Sequence, residues 1–202
     1  MAQRLGYVFL DTGAMYRAVA LEAERRGIQP DDEPALERLC QSLSISFQTD
    51  GDDPRVFCQG EDVTEKIREP RIGMLASKFS MKKPVREAMV RLQRQAGERG
   101  KIVAEGRDTT TVVFPKARHK FFLVAEPEER ARRRHRELLS KGVPARIEDI
   151  QEEINKRDEQ DSSRDLAPLK SAEDAFFIDS TELTPEEVAE EMIKVIRKKS
   201  RK

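Results

Sequence analysis

Four short segments of this 202-residue sequence carry side chains suited to gripping anions and polar rings. The first is Asp11-Thr12-Gly13-Ala14-Met15-Tyr16-Arg17, where an apolar run gives way to a helical pattern. Gly13 permits a tight turn, Thr12 can cap the helix, and Arg17 rises one turn into it to face an anion. A plain strand-to-helix turn with a surface arginine explains the segment equally well. The second is Glu105-Gly106-Arg107-Asp108, again straight after an apolar run. There a glycine admits close backbone approach to a ligand beside an arginine and a carboxylate, which together grip a phosphate and a base or sugar. A structural ion pair at a strand end is the rival, and the position favours function. In the third, Arg157, Asp161 and Arg164 stand at i, i+4 and i+7 of a helical stretch running from Ile147 to about Asp165, so they share one face. In isolation such a trio is a solvated ladder of ion pairs. The fourth is Arg130, Arg132, Arg133, Arg134 and Arg136, with His135 among them. It suits an arginine-lined flap over a polyphosphate.

These segments need elements to hold them. Tyr7 to Leu10, Ile102 to Ala104, Phe121 to Val124 and Ala175 to Ile178 are apolar without alternation and rich in β-branched or aromatic residues. Strands of a parallel sheet buried on both faces read this way. Acidic residues, Asp11, Glu105, Glu126 and Asp179, gather just beyond them, where open parallel sheets bind ligands. Helical patterns lie between: one opening at Pro84 with Val85, Ala88, Met89 and Leu92 on one face, and one opening at Pro127 with Glu128 and Glu129 near its positive end. A third carries a capping box, Thr184 with Glu187, around Pro185. Alternating strand and helix predicts an α/β, doubly wound parallel sheet in one domain spanning 1–202. Ile45-Ser46-Phe47-Gln48 and Val56-Phe57-Cys58-Gln59, separated by Asp50-Gly51-Asp52-Asp53-Pro54, predict a small antiparallel β insertion at about 43–64.

Composition narrows the function. Lys plus Arg and Asp plus Glu both number 38, so the formal net charge is zero, which argues against a dedicated nucleic-acid or membrane-surface binder. The arginine-rich segment also lacks interleaved aromatics for base stacking. Cys40 and Cys58 have neither zinc-ligand spacing nor a disulfide framework, and no metal site is expected from protein ligands alone. With no apolar run near the roughly 20 residues that span a bilayer and no signal peptide, a cytoplasmic protein is expected.

Taken together, Leu10 to Arg17, Ala104-Glu105-Gly106-Arg107-Asp108 with Thr111-Val112-Val113-Phe114-Pro115, and Arg157-Asp158 through Asp161 to Arg164 with Ala167-Pro168-Leu169 resemble bacterial cytidylate kinases in order and spacing along essentially the whole chain. The resemblance implies a nucleoside monophosphate kinase of the P-loop kinase-like fold. It also implies ATP-dependent phosphorylation of CMP and dCMP with Mg²⁺ bridging ATP phosphates, and by family habit a monomer. It implies a CMP-binding lobe at about 12–100, which the β insertion enlarges, and a helical lid at about 127–160 with Lys141-Gly142 as a hinge region. Carried onto matching positions, Ser77, Arg86 and Asp108 read the cytosine edge, Asp161 with Arg157 the sugar, and Arg17 and Arg107 the acceptor phosphate. Asp11, Thr12, Tyr16 and Arg164 belong to the same substrate site, Thr12 standing where many members have serine. Arg130, Arg133 and Arg134 fall on the helix leading to the lid and, with Arg157, are the candidate catalytic arginines. Thr109-Thr110 departs from the commoner apolar residue plus glycine after the Arg-Asp pair.

One expected motif is missing. A kinase of this type needs G-x-x-x-x-G-K-[ST], whose backbone N–H groups and lysine cradle the donor phosphates. No such pattern occurs in the 202 residues. Ala2-Gln3-Arg4-Leu5-Gly6 resembles the last turn of the helix that should follow it, with Gly6 as C-cap. The expectation is therefore that the first strand and phosphate loop are absent because the start was assigned late. The rivals are a short chain that binds CMP without catalysis, and an RNA binder using the arginine-rich helix. UMP or another monophosphate is the alternative acceptor.

Overall fold

The computed structural model describes residues 1–48, 54–140, 142–163 and 169–199. Arg164, Lys141, the Asp50 to Asp53 turn and Ala167-Pro168 lie outside them. The chain divides into two compact units, Met1–Thr109 and Thr110–Lys202.

In the first unit, a single helical turn α1 (Ala2–Leu5) is closed by Gly6 in the left-handed region, φ 63°. The Gly6 and Tyr7 N–H groups donate back to the Gln3 and Ala2 carbonyls, the paired bonds that terminate a helix at glycine. β1 (Val8–Asp11) then runs parallel to β5 (Ile102–Glu105), with Asp11 opposite Glu105. Between them come α2 (Thr12–Arg25), α3 (Glu33–Ser42), β2 (Ile45–Gln48), β3 (Arg55–Cys58), β4 (Glu61–Asp62), a 3₁₀ turn at Lys66–Arg68, α4 (Pro70–Ser80) and α5 (Lys83–Gly97). α2 is the centre of this unit. Its small residues Ala18, Val19, Ala20 and Ala23 are fully buried, which lets α3, α4, α5 and β5 all pack against it. Phe79, Leu36, Leu39, Ile72, Val85 and Met89 complete the core.

The expected insertion forms, β2 pairing antiparallel with β3. It gains a third short strand, β4, that the sequence pattern did not show: Phe57 pairs with Asp62 and Cys58 with Glu61. A two-residue strand is too short to display a periodicity.

In the second unit, β6 (Phe121–Val124) runs parallel to β7 (Phe176–Asp179), joined through α6 (Pro127–Ser140) and α7 (Ile147–Ser163), and α8 (Pro185–Lys199) follows. The capping box is present: Thr184 N–H donates to Glu187 Oε2 at 2.8 Å and Glu187 N–H donates to Thr184 Oγ1 at 3.2 Å. A π-helical turn spans Thr109–Val113.

The fold is α/β with parallel strands, and among the described residues the expected parallel sheet is seen only as a β1–β5 ladder within the first unit and a β6–β7 ladder within the second. These strands are not buried on both faces: Val8 is 60%, Phe177 63% and Leu123 49% exposed. Within its own unit and among the described residues, each of these four parallel strands has one β neighbour. The apolar runs registered strand propensity, not the number of neighbours.

Candidate active site

The predicted residues of the first unit converge at the ends of β1 and β5 and on the helices around α2. Asp11 caps α2, its Oδ1 accepting from Ala14 N–H at 2.9 Å. The cap expected from Thr12 thus belongs to Asp11, because Thr12 is already the first helical residue. Gly13 lies inside that first turn and has no left-handed backbone; its lack of a side chain leaves room for Asp11, whose Oδ1 would lie 3.2 Å from a Cβ there.

Thr12 is buried at 3% exposure, and its hydroxyl donates to the Glu105 carbonyl at 2.6 Å. A Cβ on Gly106 would meet Thr12 Oγ1 at 2.1 Å. The close approach that Gly106 permits is therefore to Thr12. Next in chain order, Arg107 is half-buried and Asp108 buried.

One turn along α2 from Thr12, Tyr16 lies under the Arg86 guanidinium, 5.8 Å from ring centroid to Cζ. Arg86, on α5, forms a buried ion pair with Asp108 and donates to the Ser80 carbonyl at 3.2 Å. Arg17 leaves α2 toward α4, donating to the Ile67 carbonyl at 3.0 Å and lying against Gly73, where a Cβ would stand 3.1 Å from its Nη1. Ser77, four residues beyond Gly73 and half-buried, shares that face of α4.

The arrangement sets Arg107 and a buried Arg–Asp pair just beyond the end of β5, with Arg17 further along α2 against Ile67 and Gly73. Glu105 remains open to solvent by surface area. Even so, the surrounding protein and the neighbouring Asp11 charge push its carboxyl above its ordinary range, with Arg107 opposing. Sequence reasoning placed Glu105 at a strand end and gave it no role. It missed Gly73 and the Ile67 and Ser80 carbonyls altogether, since a helix-interior glycine and a backbone oxygen carry no motif. Among the described residues no group of three or more His, Cys, Asp or Glu could hold a metal ion.

The second unit holds the other predicted residues. Arg130 on α6 pairs with Asp158 on α7. Arg133 bonds Glu129 and reaches the chain after β7, with Nη1 3.2 Å from Ser180 Oγ and Nη2 donating to the Ser180, Thr181 and Leu183 carbonyls. Arg134 makes an i,i+3 pair with Glu137 at 2.7 Å. Arg157 and Asp161 approach at 3.9 Å, as their spacing predicts, with Asp161 buried and its carbonyl accepting from Leu169 N–H at 2.7 Å.

Comparison with known proteins gives the family. The family model for cytidylate kinase matches residues 1–198. The chain is 50% identical over 199 residues to a cytidylate kinase of Citrifermentans bemidjiense, covering 98% of this chain and 85% of that protein. It is 48% identical to one from Geobacter sulfurreducens, covering 100% and 86%, and 43% identical to one from Vibrio vulnificus, covering 98% and 88%. With the model matched across nearly its whole length, this chain belongs to the cytidylate kinase family.

Proposed function

We propose that the chain serves phosphoryl transfer from ATP to CMP or dCMP, giving CDP or dCDP and ADP, as one kinase domain acting as a cytoplasmic monomer. The observation that carries the acceptor side is the buried Arg86–Asp108 pair held over Tyr16, with Arg107 adjoining Asp108 in the chain. A nucleotide base offers donors and acceptors along one edge, and a buried carboxylate and guanidinium fixed against each other can meet both kinds. Ser77 adds a hydroxyl to that recognition. Arg17 and Arg107 take the acceptor phosphate, for which a planar, always-charged fork is the suited group. By the family resemblance alone, Asp161 with Arg157 is assigned to the sugar and Arg164, outside the described residues, to the same substrate. Phosphoryl transfer is served by positioning and charge, so what these residues contribute is an oriented, charge-neutralised acceptor.

On the donor side, backbone N–H groups and a lysine should cradle the phosphates, and the 202 residues contain no G-x-x-x-x-G-K-[ST]. ATP as donor, Mg²⁺ as the ion neutralising its phosphates, and Arg130, Arg133 or Arg134 as lid arginines therefore rest on the family alone. The alternative reading is CMP binding without turnover. Calorimetry with CMP, dCMP and UMP beside a coupled ADP-release assay on this chain separates the readings. Saturable CMP binding with turnover supports the kinase, and binding with no ADP release supports the binding module. Failure to bind CMP, or tighter binding of UMP, overturns the cytosine assignment.

A further inference from the structure

We infer that Thr12 is a positioning residue that sets the Gly106-Arg107-Asp108 turn, its hydroxyl proton being held by the Glu105 carbonyl. The parallel ladder runs to the register pair Asp11 and Glu105. At the next residue the chain winds into α2, so the backbone no longer supplies a rung. Thr12 supplies one from its side chain: a 2.6 Å donated bond, at 3% exposure, to the oxygen that immediately precedes Gly106. A part-buried carbonyl that loses such a donor loses a hydrogen bond shielded from water, and the segment bearing it loosens.

Contact from the other side is as close. The 2.1 Å separation between Thr12 Oγ1 and a Cβ built on Gly106 means that any side chain at 106 would occupy the hydroxyl's place. Thr109 presses on the same point, its Cγ2 3.0 Å from that Cβ. Thr12 and Gly106 therefore interlock. The interlock fixes one end of the turn, and the Arg86–Asp108 pair over Tyr16 fixes the other. Both ends are referred to the same helix, α2, because Thr12 and Tyr16 stand one turn apart on it. The distance from α2 to Asp108 is set at Thr12, and the pose of Asp108 and Arg107 toward an acceptor nucleotide follows from it.

This role deepens the CMP-binding proposal and rests on it for its functional consequence, whereas its structural content does not. Hydrogen exchange over the peptide from Ile102 to Val113, measured without nucleotide on wild type, T12S and T12V, tests the structural part. T12V should exchange about tenfold faster there than wild type, with peptides from α3 unchanged, and T12S should stay within about twofold. Calorimetry should show CMP affinity falling about tenfold in T12V and restored in T12S. From the glycine side, G106A should loosen the same peptide, and T12A/G106A should recover protection relative to G106A because the colliding oxygen is gone. This pair keeps the test decisive should T12V not fold. Equal exchange in T12V and wild type, equally fast exchange in T12S and T12V, or no recovery in T12A/G106A would overturn the inference. If wild type does not bind CMP, the substrate reading fails while the exchange data still decide the role of Thr12.

Discussion

The guanidinium of Arg86 and the carboxylate of Asp108 neutralise each other inside the protein, their side chains only 8% and 5% exposed. Removing one partner takes the paired counter-charge away from a buried group. Arg86→Ala or Asp108→Ala should therefore lower stability by roughly 3–5 kcal/mol. Replacing both by apolar residues of similar size, as in R86M/D108L, should recover most of that in urea denaturation. The double variant should still fail to bind CMP in calorimetry. Recovery of binding together with stability would reduce the pair to a structural device.

Gly73 and Arg17 make the opposite kind of test. A Cβ at Gly73 would stand 3.1 Å from Nη1 and 3.2 Å from Nη2 of Arg17, the far end of a flexible side chain that can yield. Gly73→Ala sits inside α4, where alanine is favoured by up to about 1 kcal/mol. The variant should be as stable as wild type or more so, yet bind CMP several-fold more weakly because Arg17 has moved. Urea denaturation and calorimetry on the same sample check the two halves; weaker binding with a matching loss of stability would count against Arg17 as a phosphate contact.

How far the sequence revealed this site depends on the kind of signal. Strand and helix positions were legible because apolar runs and caps are local: Phe121–Val124 is found as read, and Thr184 with Glu187 forms its box. The proximity of Arg86 to Asp108, residues from α5 and the turn after β5, was legible only through resemblance to a family, since nothing local links positions 22 apart. What stayed hidden was geometric. Thr12 and Gly106 lie in separate motifs, each of which reads as facing a ligand, and only the folded chain reveals that they face each other. The strands' single β neighbours were equally invisible, because an apolar run reports propensity and not pairing.

Arg133 and Arg134 are neighbours on α6 with different tasks. Arg133 serves the Ser180 hydroxyl and the Ser180, Thr181 and Leu183 carbonyls, tying the chain after β7 to α6. Arg134 makes one exposed pair with Glu137. Arg133→Ala should cost about 2–3 kcal/mol, since several carbonyls lose a charged donor at once. Arg134→Ala should shift stability by no more than about 0.5 kcal/mol. Chemical denaturation compares them. A loss of turnover in R134A without a loss of stability would mark Arg134 as the arginine free to serve a phosphate.

Cys40 on α3 and Cys58 at the end of β3 are free thiols, 4% and 0% exposed. Burial pushes both up from 9.0 to about 11; at Cys58 the Glu22 and Glu61 charges add to the rise while Arg25 and Arg26 oppose it, and at Cys40 Arg91 opposes. A thiol whose folded pKa is raised stays protonated while the unfolded chain ionises. Its stabilisation is complete below pH 9 and is lost as pH climbs from 9 toward 11. The steepest loss is at most about 1.4 kcal/mol per pH unit for each thiol. Wild type should therefore melt at falling temperature across that window, and C40A/C58A, though less stable throughout, should show a flatter profile. Both thiols should also resist alkylation at pH 8 until denaturant is added. Parallel melting profiles for the two proteins would show that these thiols do not govern the alkaline limb.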